Sequence, residues 1–291
     1  MQSKSLSISS KAEISAIYFA LLQCGYDFYA LEKDAALVTI LESFREEENT
    51  NQHSFFSEIR QKTCQVYPYW PRAAILEEAT FYLDDSCADF VNFDQLHRSI
   101  MNAANISSLE KSNDLWVWIS RFPAALQTIL DSSSFQLYLT WERGWIAEQN
   151  EIFREELIRL QTIFDQCNTR YDSPLQGTHV LLNPIKCTYS SDYYTLNNQF
   201  YFSSGQFRLE SVVHEFLHPI LHTNVIQHSG LILQKRGAFL DLDASYLLDG
   251  SDQGALNAAE EYFVRNLTEC AVRGTLPGDF DRYIQDSLGK L

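Results

Sequence analysis

Through the first 172 residues, hydrophobic positions recur every three to four residues, the spacing of amphipathic helices. Ile14, Ile17, Tyr18, Leu21 and Leu22 form one stripe, and Leu37, Ile40, Leu41 and Phe44 form a second, with Asp34 placed to cap it. Trp70-Pro71 predicts a proline at the first position of a helix that carries Ile75, Leu76, Ala79 and Tyr82. From Ser133 to Asp172 the pattern predicts one long helix, bent at Gly144, with Trp141, Trp145, Ile152, Phe153, Leu157, Leu160 and Phe164 on its apolar side.

After Pro174 the pattern changes. Thr178 to Asn183 reads as a strand closed by Asn183-Pro184, and Gln199 to Phe202 as another, with a hairpin turn at Asn197-Asn198 between them. Ser203-Ser204-Gly205 supplies a start for a helix from Phe207 to His222, which Pro219 is expected to kink or end early. Residues 223–250 read as an irregular, increasingly acidic connection with a strand or short helix near Leu231 to Leu240. A last helix runs from Ser251 or Asp252 to Gly274, with Arg273 in its final turn and Pro277 beyond. These elements predict an α+β, predominantly helical fold: a helical N-terminal region over residues 1–172, then a unit over 173–291 with a small sheet and two long helices.

The chemistry lies in the first of those two helices, where Val213-His214-Glu215-Phe216-Leu217-His218 contains His-Glu-x-x-His. At about 100° per residue, His214 and His218 share one side and Glu215 stands a quarter-turn away, while Val212, Val213, Phe216, Leu217 and Ile220 take the other. Two imidazoles four residues apart can occupy two corners of a tetrahedral zinc site, and the carboxylate between them can reach a water activated there. His53, His97 and His179 have no partner at such spacing and read as surface or capped histidines. Glu46-Glu47-Glu48 reads as a solvated helix end.

Composition narrows the partners. The net charge of -16, with 38 acidic against 22 basic residues, leaves too few clustered cations for a nucleic acid or an anionic membrane surface. The six cysteines contain no Cys-x-x-Cys pair and read as free thiols. No secretory leader or membrane span is evident, so the expected location is the cytoplasm. Oligomeric state leaves no trace in the sequence.

A catalytic zinc site takes three protein ligands. His222 is another turn along, about 6 Å further up the axis. Asp241 and Asp243 lie in an acidic stretch, and Glu261 sits in the middle of a capped helix, where it is favoured. The metzincin pattern is excluded, because Leu221 and Asn224 stand where it needs Gly and His.

His214-Glu215-x-x-His218 followed by a helical Glu261 resembles the gluzincin zinc metallopeptidases, the branch that includes thermolysin-like and aminopeptidase N-like enzymes. The resemblance spans Thr178 to Gly274. The third-ligand helix there often reads Asn-Glu-x-Phe; Glu260-Glu261-Tyr262-Phe263 puts Glu261 on the ligand position and Glu260 where Asn is usual, with Glu260 as the alternative ligand. The resemblance implies Zn2+ on His214, His218 and Glu261, Glu215 as general base, and a peptide or protein substrate. It also implies an edge strand for extended peptide, Val180 to Asn183 or Phe200 to Phe202. Tyr262, Tyr283, Tyr194 and His228 are the candidates for steadying the oxyanion. The competing expectations are a non-catalytic zinc-bearing interaction protein and a metal-dependent hydrolase of a non-peptide amide.

Overall fold

A four-stranded sheet lies between two bodies of helix, and its pleat explains how one sheet serves both. The computed structural model describes residues 6–26, 35–44, 55–59, 65–67, 70–71, 73–102, 114–188, 191–242 and 251–291. The strands are β1 (Ile8–Ser9), β2 (Gln65–Tyr67), β3 (Trp70–Pro71), β4 (Gly177–Leu182), β5 (Asp192–Leu196) and β6 (Gln199–Ser204). The helices are α1 (Ala12–Gln23), α2 (Ala35–Glu42), α3 (Ala74–Ala79), α4 (Phe93–Asn102), α5 (Leu115–Ile119), α6 (Phe122–Leu130), α7 (Ser133–Ile152) and α8 (Arg154–Tyr171), followed after the sheet by α9 (Leu209–Gln227), α10 (Ser229–Gln234), α11 (Arg236–Leu242), α12 (Asp252–Arg273) and α13 (Phe280–Leu288). This is the expected α+β, mostly helical fold.

The main sheet has the order β1-β4-β6-β5, parallel from β1 to β6, with β5 antiparallel at one edge. Asn197 and Asn198 both have positive φ (50° and 60°), as the tight β5–β6 hairpin requires and as their sequence predicts. Alternate residues of a strand face opposite ways. Val180, Leu182, Phe200 and Phe202 therefore join one hydrophobic core with α8, α9 and α12, while Leu181 joins the other with α1, α3 and α6. Ile8 and Leu157 to Cys167 belong to the same core as α9, so the two packing units interleave along the chain and do not meet at residue 172.

Local expectations fail where tertiary packing prevails. The long helix breaks at Phe153 (φ -101°, ψ 19°), not at Gly144, and the Phe153 ring packs on Phe207 at 4.8 Å. Gly144 faces open space inside α7. Trp70-Pro71 forms the short strand β3 beside β2, and the following helix starts only at Ala74. Helix α9 runs through Pro219 to Gln227 without ending early. A proline removes one hydrogen bond, but Ile220, Leu221 and Val225 beyond it are all buried, and that packing carries the helix onward. Ser203 and Ser204 close β6 and do not start the helix. Gly205 follows because a Cβ there would lie 2.1 Å from the Lys186 carbonyl oxygen.

Residues 223–227 belong to α9, the short helix expected near Leu231 to Leu240 is present as two, α10 and α11, and residues 243–250 lie outside the described residues. The last helix matches its signals, with the Ser251 hydroxyl accepting from the Gly254 N–H (3.1 Å) and Gly274 at φ 72° closing it. Asp34, Glu46-Glu47-Glu48, His53 and Asp243, together with the Asp241 side chain, lie outside the described residues. Among the described residues, no helix is long and apolar enough to cross a membrane.

Candidate metal centre

Helix α9 packs more extensively on α12 than on any other element. Val212, Val213, Phe216, Leu217 and Leu221 bury one side of α9, which leaves His214 and His218 on the flank that meets α12. Glu260 and Glu261 on α12 are themselves 5% and 8% exposed. Two carboxylates buried against two imidazoles make a costly arrangement unless the charges are matched.

Three donor atoms converge. His214 Nε2 lies 3.3 Å from His218 Nε2, and Glu261 Oε2 lies 3.5 Å from each. Zinc bonds of 2.0–2.1 Å at tetrahedral angles place neighbouring donors about 3.3 Å apart, so this triangle has the edges a zinc ion demands. The donor set of two imidazoles and one carboxylate is also the one catalytic zinc accepts. The residues fit the metal.

Glu260 takes a different part from the ligand role left open for it. Its Oε1 lies 2.8 Å from His218 Nδ1 and its Oε2 lies 2.7 Å from His222 Nδ1, behind the imidazole that faces the triangle. A carboxylate on Nδ1 fixes the ring and turns Nε2 toward the centre. His222 is held by this contact outside the triangle. The Tyr193 ring, on β5, stacks on His218 at 5.7 Å with an interplanar angle of 8°. One turn past Glu261, Arg265 Nε donates to Glu261 Oε1 at 2.6 Å.

The electrostatics describe a cluster that attracts positive charge. Burial works against protonating His218, but the hydrogen bonds it gives Glu260 and Glu261 outweigh that and raise its pKa to about 10. Burial would likewise raise Glu261, yet His214 and His218 hold its carboxyl well below the usual range. Glu260 is lowered against its own burial by His218 and His222. Glu215 goes the other way: burial pushes its carboxyl up, and the nearby His218 and His214 only partly counter it.

Beside the triangle opens a cleft of about 710 Å³, lined by His214, Glu215 and Ser211 on one wall and by Arg265, Thr268 and Arg273 on the other. None of the four oxyanion candidates lines it. Tyr194 is buried on the opposite face of the sheet, 3.1 Å from Glu77. His228 bonds the Asn224 carbonyl (2.9 Å), and Tyr262 and Tyr283 pack around Phe263. The expected edge strands are also displaced: β4 and β6 are interior, and β5 is the edge beside α9. His97 and His179 lie elsewhere, against Trp116 and Tyr201.

Sequence reasoning missed Arg265, Tyr193 and the bridging role of Glu260. Only Arg265 left a local signal, its four-residue spacing from Glu261. Compared with known protein families, curated proteins and solved structures, the chain matches none.

Proposed function

We propose that this chain is a zinc-dependent metallopeptidase of the gluzincin type. The observation that carries the reading is the His214–His218–Glu261 donor triangle, with its 3.3 and 3.5 Å edges, on the wall of a cleft that Glu215 also lines. A zinc ion held there would supply Lewis acidity, making a water more acidic and polarising the substrate carbonyl. Glu215 accepts the proton of the attacking water and returns it to the leaving amine. Strand β5, an edge of the four-stranded sheet among the described residues, is the strand on which an extended peptide would pair by its backbone. A cytoplasmic location fits the five described cysteines, which form no disulfide with one another.

Two measurements test this. Metal analysis of the purified protein is expected to find one zinc per chain. A peptide-library cleavage assay is expected to show turnover by the wild type and a loss of about 10²–10⁴-fold in Glu215→Gln, which keeps its zinc. No zinc uptake, or undiminished cleavage by the variant, overturns the reading. A zinc-loaded wild type that cleaves no peptide but hydrolyses simple amides would move the substrate class.

A further inference from the structure

We propose that Arg265 is a positioning residue that fixes Glu261 as a one-oxygen metal ligand. The inference rests on the zinc reading above and goes beyond it to a residue that touches neither the metal nor the substrate bond. A carboxylate beside a cation can offer one oxygen or both, and in a buried site that choice sets how many positions remain for water and substrate. Here the two oxygens are already divided. Oε1 of Glu261 accepts from Arg265 Nε at 2.6 Å, while Oε2 is the atom 3.5 Å from both imidazoles.

Ion pairs four residues apart on a helix are commonplace, and α12 provides its own control. Arg273 and Glu269 have the same spacing on the same helix, but they stand 3.4 Å apart with side chains 73% and 67% exposed, as an ordinary surface pair does. Arg265 is itself 59% exposed, but it reaches a carboxylate only 11% exposed, at 2.6 Å, so the two pairs differ in the carboxylate and not in the arginine. An Arg–carboxylate bond of that length holds the carboxylate plane as well as its charge. Lys would supply the charge from a single flexible point and lack the planar hold.

The test measures zinc affinity by competition with a chromophoric chelator in wild type, Arg265→Met, Arg265→Lys, Arg273→Met and His214→Ala, and records the visible spectrum of the cobalt-substituted proteins. Arg265→Met is expected to bind zinc about 10–100-fold more weakly. Its cobalt bands are expected to lose intensity as the carboxylate swings to two-oxygen coordination. Arg265→Lys is expected to recover part of the affinity but not the spectrum, and Arg273→Met to match wild type in both. Wild-type affinity and spectrum in Arg265→Met overturn the inference while leaving the zinc site standing. Failure of the wild type to bind zinc, or binding by His214→Ala as tight as wild type, overturns the site itself. If Arg265→Met does not fold, the cobalt spectrum of Arg265→Lys decides: an unchanged spectrum counts against the positioning role and an altered one for it.

Discussion

Two clusters of charged side chains lie on opposite faces of the same sheet, and they meet the same difficulty in opposite ways. On the N-terminal face, Lys186 is 1% exposed and its Nζ lies 2.6 Å from Glu77 Oε1, 2.8 Å from Asp192 Oδ2 and 3.1 Å from Ser203 Oγ. Tyr18 and Tyr194 donate to Glu77, so the chain supplies both the cation and the remaining donors. On the other face, His214, His218 and Glu261 bring one donor atom each within 4.8 Å of the others, around a centre that no lysine or arginine side chain fills among the described residues. The first cluster is closed and the second is open toward a cleft. A half-buried group of ligand atoms open to a cleft can take up a metal ion, whereas the closed cluster carries its own cation.

The contrast is sharpest if the central cation of the closed cluster is removed. Lys186→Met leaves Glu77 and Asp192 buried without their cation and is expected to cost about 3–5 kcal/mol of unfolding free energy in denaturant titrations. Adding Glu77→Gln and Asp192→Asn to that variant is expected to recover much of the loss, because no uncompensated carboxylate remains. A Lys186→Met protein as stable as wild type would show that the network contributes nothing to the fold.

Glu78 is a third solution, with no cation paired to it among the described residues. It is 3% exposed, accepts from the Ser99 hydroxyl at 2.7 Å, and burial raises its pKa to about 7. A carboxyl raised in this way is protonated in the fold over a range where the unfolded chain has already released its proton. Its favourable contribution is therefore complete below the unfolded value near 4.5 and is lost as the pH rises through about 7. The loss amounts to about 3 kcal/mol. Glu78→Gln is expected to flatten the fall in stability between pH 5 and pH 8; an identical slope in both proteins would contradict the assignment.

The open cluster should respond to the cation the closed one does not need. At a free zinc concentration one hundred times the dissociation constant, the wild type is expected to gain about 2.7 kcal/mol, and His214→Ala nothing. Equal gains in both proteins would place the ion somewhere else.

How far these clusters can be read from the chain depends on the distance between their parts. His214, Glu215 and His218 are legible because helical periodicity is local, and the helix of Glu261 is legible because Ser251 and Gly274 mark both of its ends. The register of α12 against α9 is not local. Glu260 and Glu261 differ by about 100° around the helix, and only packing decides which one completes the triangle with the two Nε2 atoms. The closed cluster left no trace, since Glu77 and Lys186 are 109 residues apart. Sheet order is equally silent in the strands themselves, which is why β5 and not β4 or β6 proved to be the edge. Pro219 failed to end the helix for the same reason: a local rule about one lost hydrogen bond met a helix buried on both sides of it.

Glu260 offers the finest distinction between the two clusters, because it is a buried carboxylate that belongs to the open one without facing its centre. If it were a ligand, Glu260→Ala would abolish zinc binding as His214→Ala does. As the partner of His218 Nδ1 at 2.8 Å, it orients a ring whose Nε2 remains in place after the substitution. Affinity is then expected to fall by about 10–100-fold, equivalent to about 1.4–2.7 kcal/mol, and no further. Glu260→Gln should fall less, since its amide oxygen still accepts from the same N–H, although it no longer carries the charge that attracts His222. Chelator competition separates the cases: complete loss in Glu260→Ala makes it a ligand, a partial loss softened in Glu260→Gln makes it the orienting carboxylate, and no loss at all leaves it a structural bridge between His218 and His222.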